Sequence, residues 1–236
     1  MSTNKGISIL MSFYNGKAFF EEQFLSIISQ MNESDELIIR DDGSNSKKFI
    51  LDVCKKFPPS KLMYDANLIK VISSSNIGVN KSFLELLKYC KNDVCVFCDQ
   101  DDVWTNRRLK SVRDNYSSDL HCVNFSINDS IQLKNNYVPN VLSIFFRNRI
   151  PGCCMSGRVD YILESIHQIN DNLIYDHGLI FKALIEKKVL TIDYEVGVKY
   201  RRHSNTLTKF GSFLPNGIFE AIRLRYSLFY LLLGKL

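Results

Sequence analysis

Long apolar runs are missing from this 236-residue chain: no stretch approaches the roughly 20 residues that a bilayer-spanning helix needs. The chain is therefore not expected to span a membrane. Its opening residues, MSTNKGISIL, lack the extended apolar segment of a secretory signal. Glycine is scarce where a phosphate-cradling loop would concentrate it, since Met11–Gly16 holds only one. That argues against sugar-nucleotide synthesis by nucleotidyl transfer, which would want such a loop early in the chain. Charge of one sign is also scarce: 30 Lys+Arg against 25 Asp+Glu leave a net +5, and basic residues stay scattered until the C-terminus. No nucleic acid partner is expected, and a two-metal nuclease lacks the basic face it would require. Internal repeats and low-complexity tracts are absent.

Cysteine is present, but in an odd number, seven, which points to a reduced, cytoplasmic setting rather than a disulfide framework. Cys95 and Cys98 imitate a metal-binding pair, yet residues three apart on a strand face opposite sides, so they cannot share one ion. Cys153 and Cys154 read as small packing residues. With 45% hydrophobic and 23% charged residues, the composition suits one globular domain, taken as residues 1–212, followed by an amphipathic to apolar helix over 213–236.

The first hundred residues alternate strand and helix. Strands are expected at Ile7–Tyr14, Glu36–Arg40, Ile69–Ser73 and from Val94. Between them Phe20, Phe24, Ile27, Ile28 and Met31 recur at helical spacing, as do Val79, Phe83, Leu86, Leu87 and Cys90, and a further helix is read at Lys47–Lys56. Four such alternations with short links predict an α/β fold with a mostly parallel central sheet flanked by helices. Beyond it, Leu120–Ile127 and Val189–Tyr200 read as strands, Arg158–Gln168 and Tyr175–Glu186 as helices, and 128–150 as a polar loop without a clear period.

In parallel sheets ligands bind beyond the carboxyl ends of the strands. Those ends carry Asn15, Asp41, Asp42, Asn76, Asp99 and Asp101. The segment VCVFCDQDDVW concentrates three carboxylates in four positions, a costly arrangement unless a cation or a hydrogen-bonding ligand offsets it. If the strand persists, Asp99 and Asp101 project together and Asp102 turns away. Hard carboxylate oxygen suits Mg2+ or Mn2+, whose remaining positions a nucleoside diphosphate could fill. Acids after strands also serve as helix caps or simply stay solvated.

The segments SFYNGKAFFEEQFLSIISQ, IIRDDGS, NIGVNKSF, CDQDDVW, PGCCMSG, YDHGL and YRRHSNT, in that order over residues 7–205, resemble the inverting, GT-A type glycosyltransferases of family 2, especially their bacterial, rhamnosyltransferase-like polysaccharide branch. The resemblance implies a UDP- or dTDP-sugar donor and a glycan acceptor, polyprenyl-diphosphate-linked, as in O-antigen or capsule synthesis. It implies Asp41 and Asp42 on the base or ribose, Asn15 and Asn76 beside the donor, and Asp99-x-Asp101 as the Asp-x-Asp motif for Mn2+ or Mg2+. Asp176 in YDHGL corresponds to the base that accepts the acceptor's proton, with His177 as the alternative; an acid there also suits a helix's first turn. Tyr200-Arg201-Arg202-His203 resembles a Tyr-Arg-x-His segment, with His203 at the metal and Arg201 or Arg202 on phosphate oxygens. Trp104 could floor the acceptor site or belong to the core. The basic and apolar segment Ile218–Leu236 could pack on the domain or lie peripherally on the membrane's inner face. A module that binds nucleotide sugars without turnover is the non-enzymatic alternative.

Overall fold

The computed structural model describes residues 5–57, 68–169, 173–202 and 218–234, with side chains of the last segment described from 222 onward. The first half runs β1 (Ile7–Phe13), α1 (Lys17–Ile28), β2 (Glu36–Asp42), α2 (Lys47–Lys56), β3 (Ile69–Ser74), α3 (Val79–Leu87) and β4 (Val94–Asp99). Strands β3, β2, β1 and β4 lie side by side and parallel. Both faces of β1 are buried, so its run ISILMSF is apolar almost throughout, as a strand covered on two sides must be. Helix α1 supplies Phe20, Phe24 and Ile27 to one face, and α3 supplies Phe83, Leu86 and Leu87.

The second half runs β5 (Val103–Trp104), α4 (Arg108–Asp114), β6 (Leu120–Ile127), β7 (Ser130–Ile131), α5 (Val141–Phe146), a 3-10 turn (Gly152–Cys154), β8 (Met155–Arg158), α6 (Val159–Gln168), α7 (Tyr175–Ile185), β9 (Leu190–Lys199) and α8 (Ile218–Leu233). The nine strands form one sheet in the order β3-β2-β1-β4-β8-β6-β9-β5, with β7 attached to β6. Residues 128–150, expected to be loop, contain β7 and α5. A six-residue helix is too short to display a period; its signal is the Asn140/Ser143 capping box, in which each side chain bonds the other's backbone N–H.

The strand directions explain the position of the site. β8 runs antiparallel to β4, with Val94 opposite Arg158 and Val96 opposite Ser156. The chain just before β8, Gly152–Cys154, therefore lies at the carboxyl end of β4. β6 is antiparallel to β8 and parallel to β9, so β9 ends at that same edge, and β5 folds back against it. The carboxyl ends of β1, β2, β4 and β9 and the start of β8 thus share one rim.

Helix α8 packs against α7 and α5. Leu228 is buried, and the Arg225 guanidinium donates to the Phe146 carbonyl at 2.8 Å. Among the described residues, no helix is long and apolar enough to cross a membrane.

Beneath the rim, Phe97 of β4, Phe83 of α3 and Tyr175 of α7 form a closed aromatic trio, with ring centroids 4.9 to 5.1 Å apart. Phe97 is fully buried. Phe97→Ala is expected to destabilise the fold by about 3–5 kcal/mol, measured by chemical denaturation; a loss below about 1 kcal/mol would show that α7 is not anchored through this cluster.

Candidate active site

Strand β4 ends at Asp99, and Gln100 and Asp101 form a turn, so the two-residue alternation stops there. This corrects the expectation for the acidic tip: Asp102 turns inward, 1% exposed, while Asp101 sits in the turn. A carboxylate oxygen of Asp99, one of Asp102 and the Sγ of Cys153 all lie within 4.8 Å of one another. Loss of surrounding water, followed by the charges of Asp102, Asp101 and Asp176, pushes the Asp99 carboxyl well above its usual range. Burial, followed by Asp101, raises Asp102; the Cys153 thiol and the Arg201 backbone offset only part of this.

Each tip residue is held from outside the strand. Gln100 accepts from the Tyr14 N–H at 2.5 Å and donates to the Tyr14 carbonyl at 2.7 Å, clamping the β1–α1 turn to the tip. Asn15, exposed, occupies the left-handed region in that turn (φ 56°), which asparagine tolerates better than most residues. A Cβ on Gly16 would fall 2.3 Å from the Gln100 side chain, so a larger residue there would displace this clamp. Gln23 of α1 donates to the Asp99 carbonyl at 3.1 Å, and the Arg201 N–H donates to Asp102 Oδ1 at 3.0 Å. Asp102 Oδ2 is buried and has no hydrogen-bond partner among the described residues. An orphaned, buried carboxylate oxygen beside a second acid and a thiol is a donor set that fits a divalent cation.

The reading of Cys153 as simple packing missed its position beside these acids, as it missed Asp102. Arg108, fully buried, donates through Nη2 to the Cys153 carbonyl at 3.1 Å and the Met155 carbonyl at 2.8 Å, fixing the 3-10 turn. The available signal was PGCCMSG itself, in which Gly152 is obligatory: a Cβ there would lie 1.8 Å from the Tyr175 hydroxyl.

Asp176 is the second residue of α7 and accepts from the His177 N–H at 2.6 Å and from the Gly152 N–H. Asn80 of α3 sets the start of this helix, accepting from Tyr175 N–H at 3.1 Å and donating to the Leu173 carbonyl at 2.8 Å. Burial raises the Asp176 carboxyl to about 6 despite those backbone bonds. His177, the alternative base, faces elsewhere: its Nε2 donates to the Ile144 carbonyl at 2.5 Å, and it is buried against α5. The His177 ring is thus engaged on the α5 side rather than with the acids of the rim.

On the other flank, Asp41 is fully buried and accepts from Ser44 N and Oγ (2.9 and 2.5 Å), Ser46 N (2.6 Å) and Ser73 Oγ (3.4 Å). Burial alone would raise its carboxyl, but these bonds outweigh it and hold it below the usual value. Asp41 thus organises the β2–α2 loop, and its carboxylate is already engaged by protein. Asp42 pairs with Arg40 and accepts from the Ile77 and Gly78 N–H groups at 3.0 and 3.1 Å, joining the β2 end to the loop that carries exposed Asn76. Arg201 aims its guanidinium at Glu22, 2.5 Å away, and over the Phe19 ring; Arg202 is exposed. Trp104 is 4% exposed and packs in the core with the Arg108 guanidinium 5.5 Å from its ring, so it offers no floor to an acceptor. His203 lies outside the described residues.

The model of "Glycosyl transferase family 2" matches residues 8–176. The chain belongs to glycosyl transferase family 2. Among its relatives, the dTDP-rhamnosyl transferase RfbG of Shigella flexneri is 27% identical over 219 residues, which cover 83% of this chain and 72% of RfbG. An uncharacterized glycosyltransferase of Haemophilus influenzae is 30% identical over 106 residues, 44% of this chain and 39% of that one. Of the solved structures, S. aureus TarS 1-349 in complex with UDP-GlcNAc superposes with a TM-score of 0.61 at 17% identity, over 85% of this chain and 60% of TarS 1-349. The mannosyltransferase PcManGT of Pyrobaculum calidifontis, in complex with GDP-Man and Mn2+, gives 0.62 at 12% identity, over 84% of this chain and 57% of that one. This chain therefore spans less than two thirds of either structure. Their likeness establishes the GT-A fold.

For this family 2 glycosyltransferase the raised Asp176 carboxyl has a consequence with a definite sign. A carboxyl that is weaker in the folded than in the unfolded state costs stability once ionised, so the cost is absent below about pH 4 and complete above about pH 6. Asp176→Asn, which keeps an acceptor for the two N–H groups, is expected to stabilise the metal-free protein at pH 7.5 by on the order of 3 kcal/mol and by nearly nothing at pH 3.5. Denaturation at both pH values measures this; an equal effect at both would refute the shift.

Proposed function

We propose that this glycosyltransferase moves a hexose or deoxyhexose, with inversion, from a UDP- or dTDP-sugar to a hydroxyl of a growing surface glycan carried on a polyprenyl diphosphate at the cytoplasmic face of the membrane. The observation that carries this reading is convergence: Tyr175, next to Asp176 at the start of α7, packs its ring 4.9 Å from that of Phe97, two residues before Asp99 in β4, so the two acids come to one rim although 77 positions separate them. In this reading one group suited to proton removal and one suited to a cation stand at the same rim of the sheet. RfbG, named for a dTDP-sugar, and TarS, seen with UDP-GlcNAc, support a nucleotide-sugar donor.

In this mechanism the acceptor oxygen attacks the anomeric carbon, the bond from that carbon to the diphosphate oxygen breaks, and Asp176 takes the hydroxyl proton as the new bond forms. A carboxyl near 6 is mostly ionised at neutral pH yet more basic than an ordinary aspartate, which suits the task. The acids of the β4 tip would hold Mn2+ or Mg2+, which when bound supplies Lewis-acid stabilisation of charge on the departing diphosphate. Asp42, Asn15 and Asn76 border the nucleoside side, and Arg201 could exchange Glu22 for a phosphate oxygen.

The discriminating experiment measures donor binding and transfer separately. Asp101→Ala or Asp99→Ala is expected to weaken metal-dependent binding of UDP or dTDP by tenfold or more, whereas Asp176→Ala keeps that binding and loses transfer by about 10²–10⁴-fold. Equal loss of donor affinity in both classes would overturn the division of roles. Binding without turnover over a panel of acceptors would favour the non-catalytic module, and release of free diphosphate from a nucleoside triphosphate and sugar phosphate would favour nucleotidyl transfer.

The same proposal extends to the membrane. Helix α8 leaves Ile222, Tyr226, Phe229, Tyr230 and Leu233 exposed, and Arg223 is exposed on the same helix. An apolar face bearing arginine suits the headgroup region of an anionic bilayer. Tyr226→Glu with Tyr230→Glu is expected to lower cosedimentation with phosphatidylglycerol vesicles at least fivefold without changing thermal stability; unchanged sedimentation would remove this part of the proposal.

A further inference from the structure

The tip carries a group that oxygen-only coordination leaves unused. Cys153 is fully buried, its Sγ within 4.8 Å of the Asp99 and Asp102 carboxylates, and its backbone is pinned by the buried Arg108. Asp102 Oδ2 is also buried there without a hydrogen-bond partner among the described residues. Two acids this close repel each other and are stable as charges only beside a cation. Ligand atoms about 2.1–2.3 Å from one ion stand roughly 3–4.4 Å apart, so the observed spacing closes onto an ion with a small side-chain rotation. Asp101, in the turn, is outside this triangle.

We propose that Cys153 is a metal ligand, completing with Asp99 and Asp102 a mixed sulfur and oxygen set that favours thiophilic divalent ions such as Co2+, Zn2+ or Cd2+, with Mn2+ intermediate, over Mg2+. This rests on the reading that the cation sits at the β4 tip. On binding, the thiol releases its proton to solvent and the sulfur lone pair forms the bond to the ion; no redox step is involved. Thiolate is a soft donor and Mg2+ a hard acceptor that holds its waters, so the preference follows from ligand chemistry. Substrate oxygens fill the positions left open.

The test titrates the metal-free full chain with CoCl2 or CdCl2, with and without UDP or dTDP, following heat and near-ultraviolet absorption. A sulfur-to-metal charge-transfer band is expected for the native chain and for Cys154→Ser. It is expected to vanish in Cys153→Ser, with Cd2+ affinity falling more than about tenfold and Mg2+ affinity changing less than about threefold. Asp102→Asn, which still accepts the Arg201 N–H, is expected to lower both affinities. Calorimetric Co2+ binding without the band in the native chain, or a band that survives Cys153→Ser, would overturn the inference while leaving the donor and base assignments intact. Absence of any divalent binding, with or without nucleotide, would refute both the inference and the cation reading of the tip, even if transfer is observed.

Discussion

Mutual repulsion of the carboxylates beyond β4 is the constraint around which the rim of this molecule is built. Asp99, Asp101 and Asp102 lie within four positions, and Asp176 arrives from another element to add a fourth negative group. Left to themselves they would spread into water. They are held by groups that bind backbone or a single oxygen: Gln23 on the Asp99 carbonyl, Gln100 on Tyr14, the Arg201 N–H on Asp102, and the Asn80 amide at the start of α7. The Arg201 guanidinium is turned to Glu22, and the buried Arg108 donates to the Cys153 and Met155 carbonyls.

The sheet topology makes such crowding possible. A purely parallel continuation after β4 would have brought another strand's carboxyl end to the rim followed by its own helix. Instead β8 is antiparallel, so a strand start, the rigid Gly152–Cys154 turn, is inserted beside Asp99. That turn carries both Cys153 at the acids and the Gly152 N–H for Asp176, linking the two chemical centres through adjacent residues. The buried Arg108 is the cost of fixing it: two of its nitrogens remain without partners among the described residues, yet Nη2 locks two carbonyls.

How much of this could be read from the sequence depended on the range of the interaction. The β1–β4 half was legible because buried parallel strands and amphipathic helices advertise themselves by local periodicity, as Phe20, Phe24 and Ile27 do. The convergence of polar strand ends followed from that half alone. Asp102 departs from the two-residue alternation because the strand ends at Asp99, three positions earlier. Asp41 was assigned to the donor because nothing local reveals that Ser44, Ser46 and Ser73 already occupy both of its oxygens. Nothing local reveals that the His177 ring bonds the Ile144 carbonyl of α5, or that Trp104 is covered by β9 and Arg108. Cys153 was invisible for the deepest reason: its neighbours Asp99 and Asp102 come from 54 and 51 positions away, through a strand direction that composition does not encode.

Asp176 shows how these constraints meet in the chemistry. As the second residue of a helix it faces the positive end of the dipole and accepts two backbone N–H bonds, influences that favour the ionised form, the dipole by roughly 0.3–1 kcal/mol. Burial opposes them and wins, so the carboxyl rises to about 6 rather than falling below the usual aspartate value. That outcome requires water to be kept away, and the aromatic trio of Phe83, Phe97 and Tyr175 packed under the start of α7 does this from below. The apolar packing that stabilises the fold is thus the same packing that makes an ordinary aspartate a stronger base. Relieving one would weaken the other, because an Asp176 opened to solvent would regain an ordinary, less basic carboxylate and lose the close placement beside Asp99.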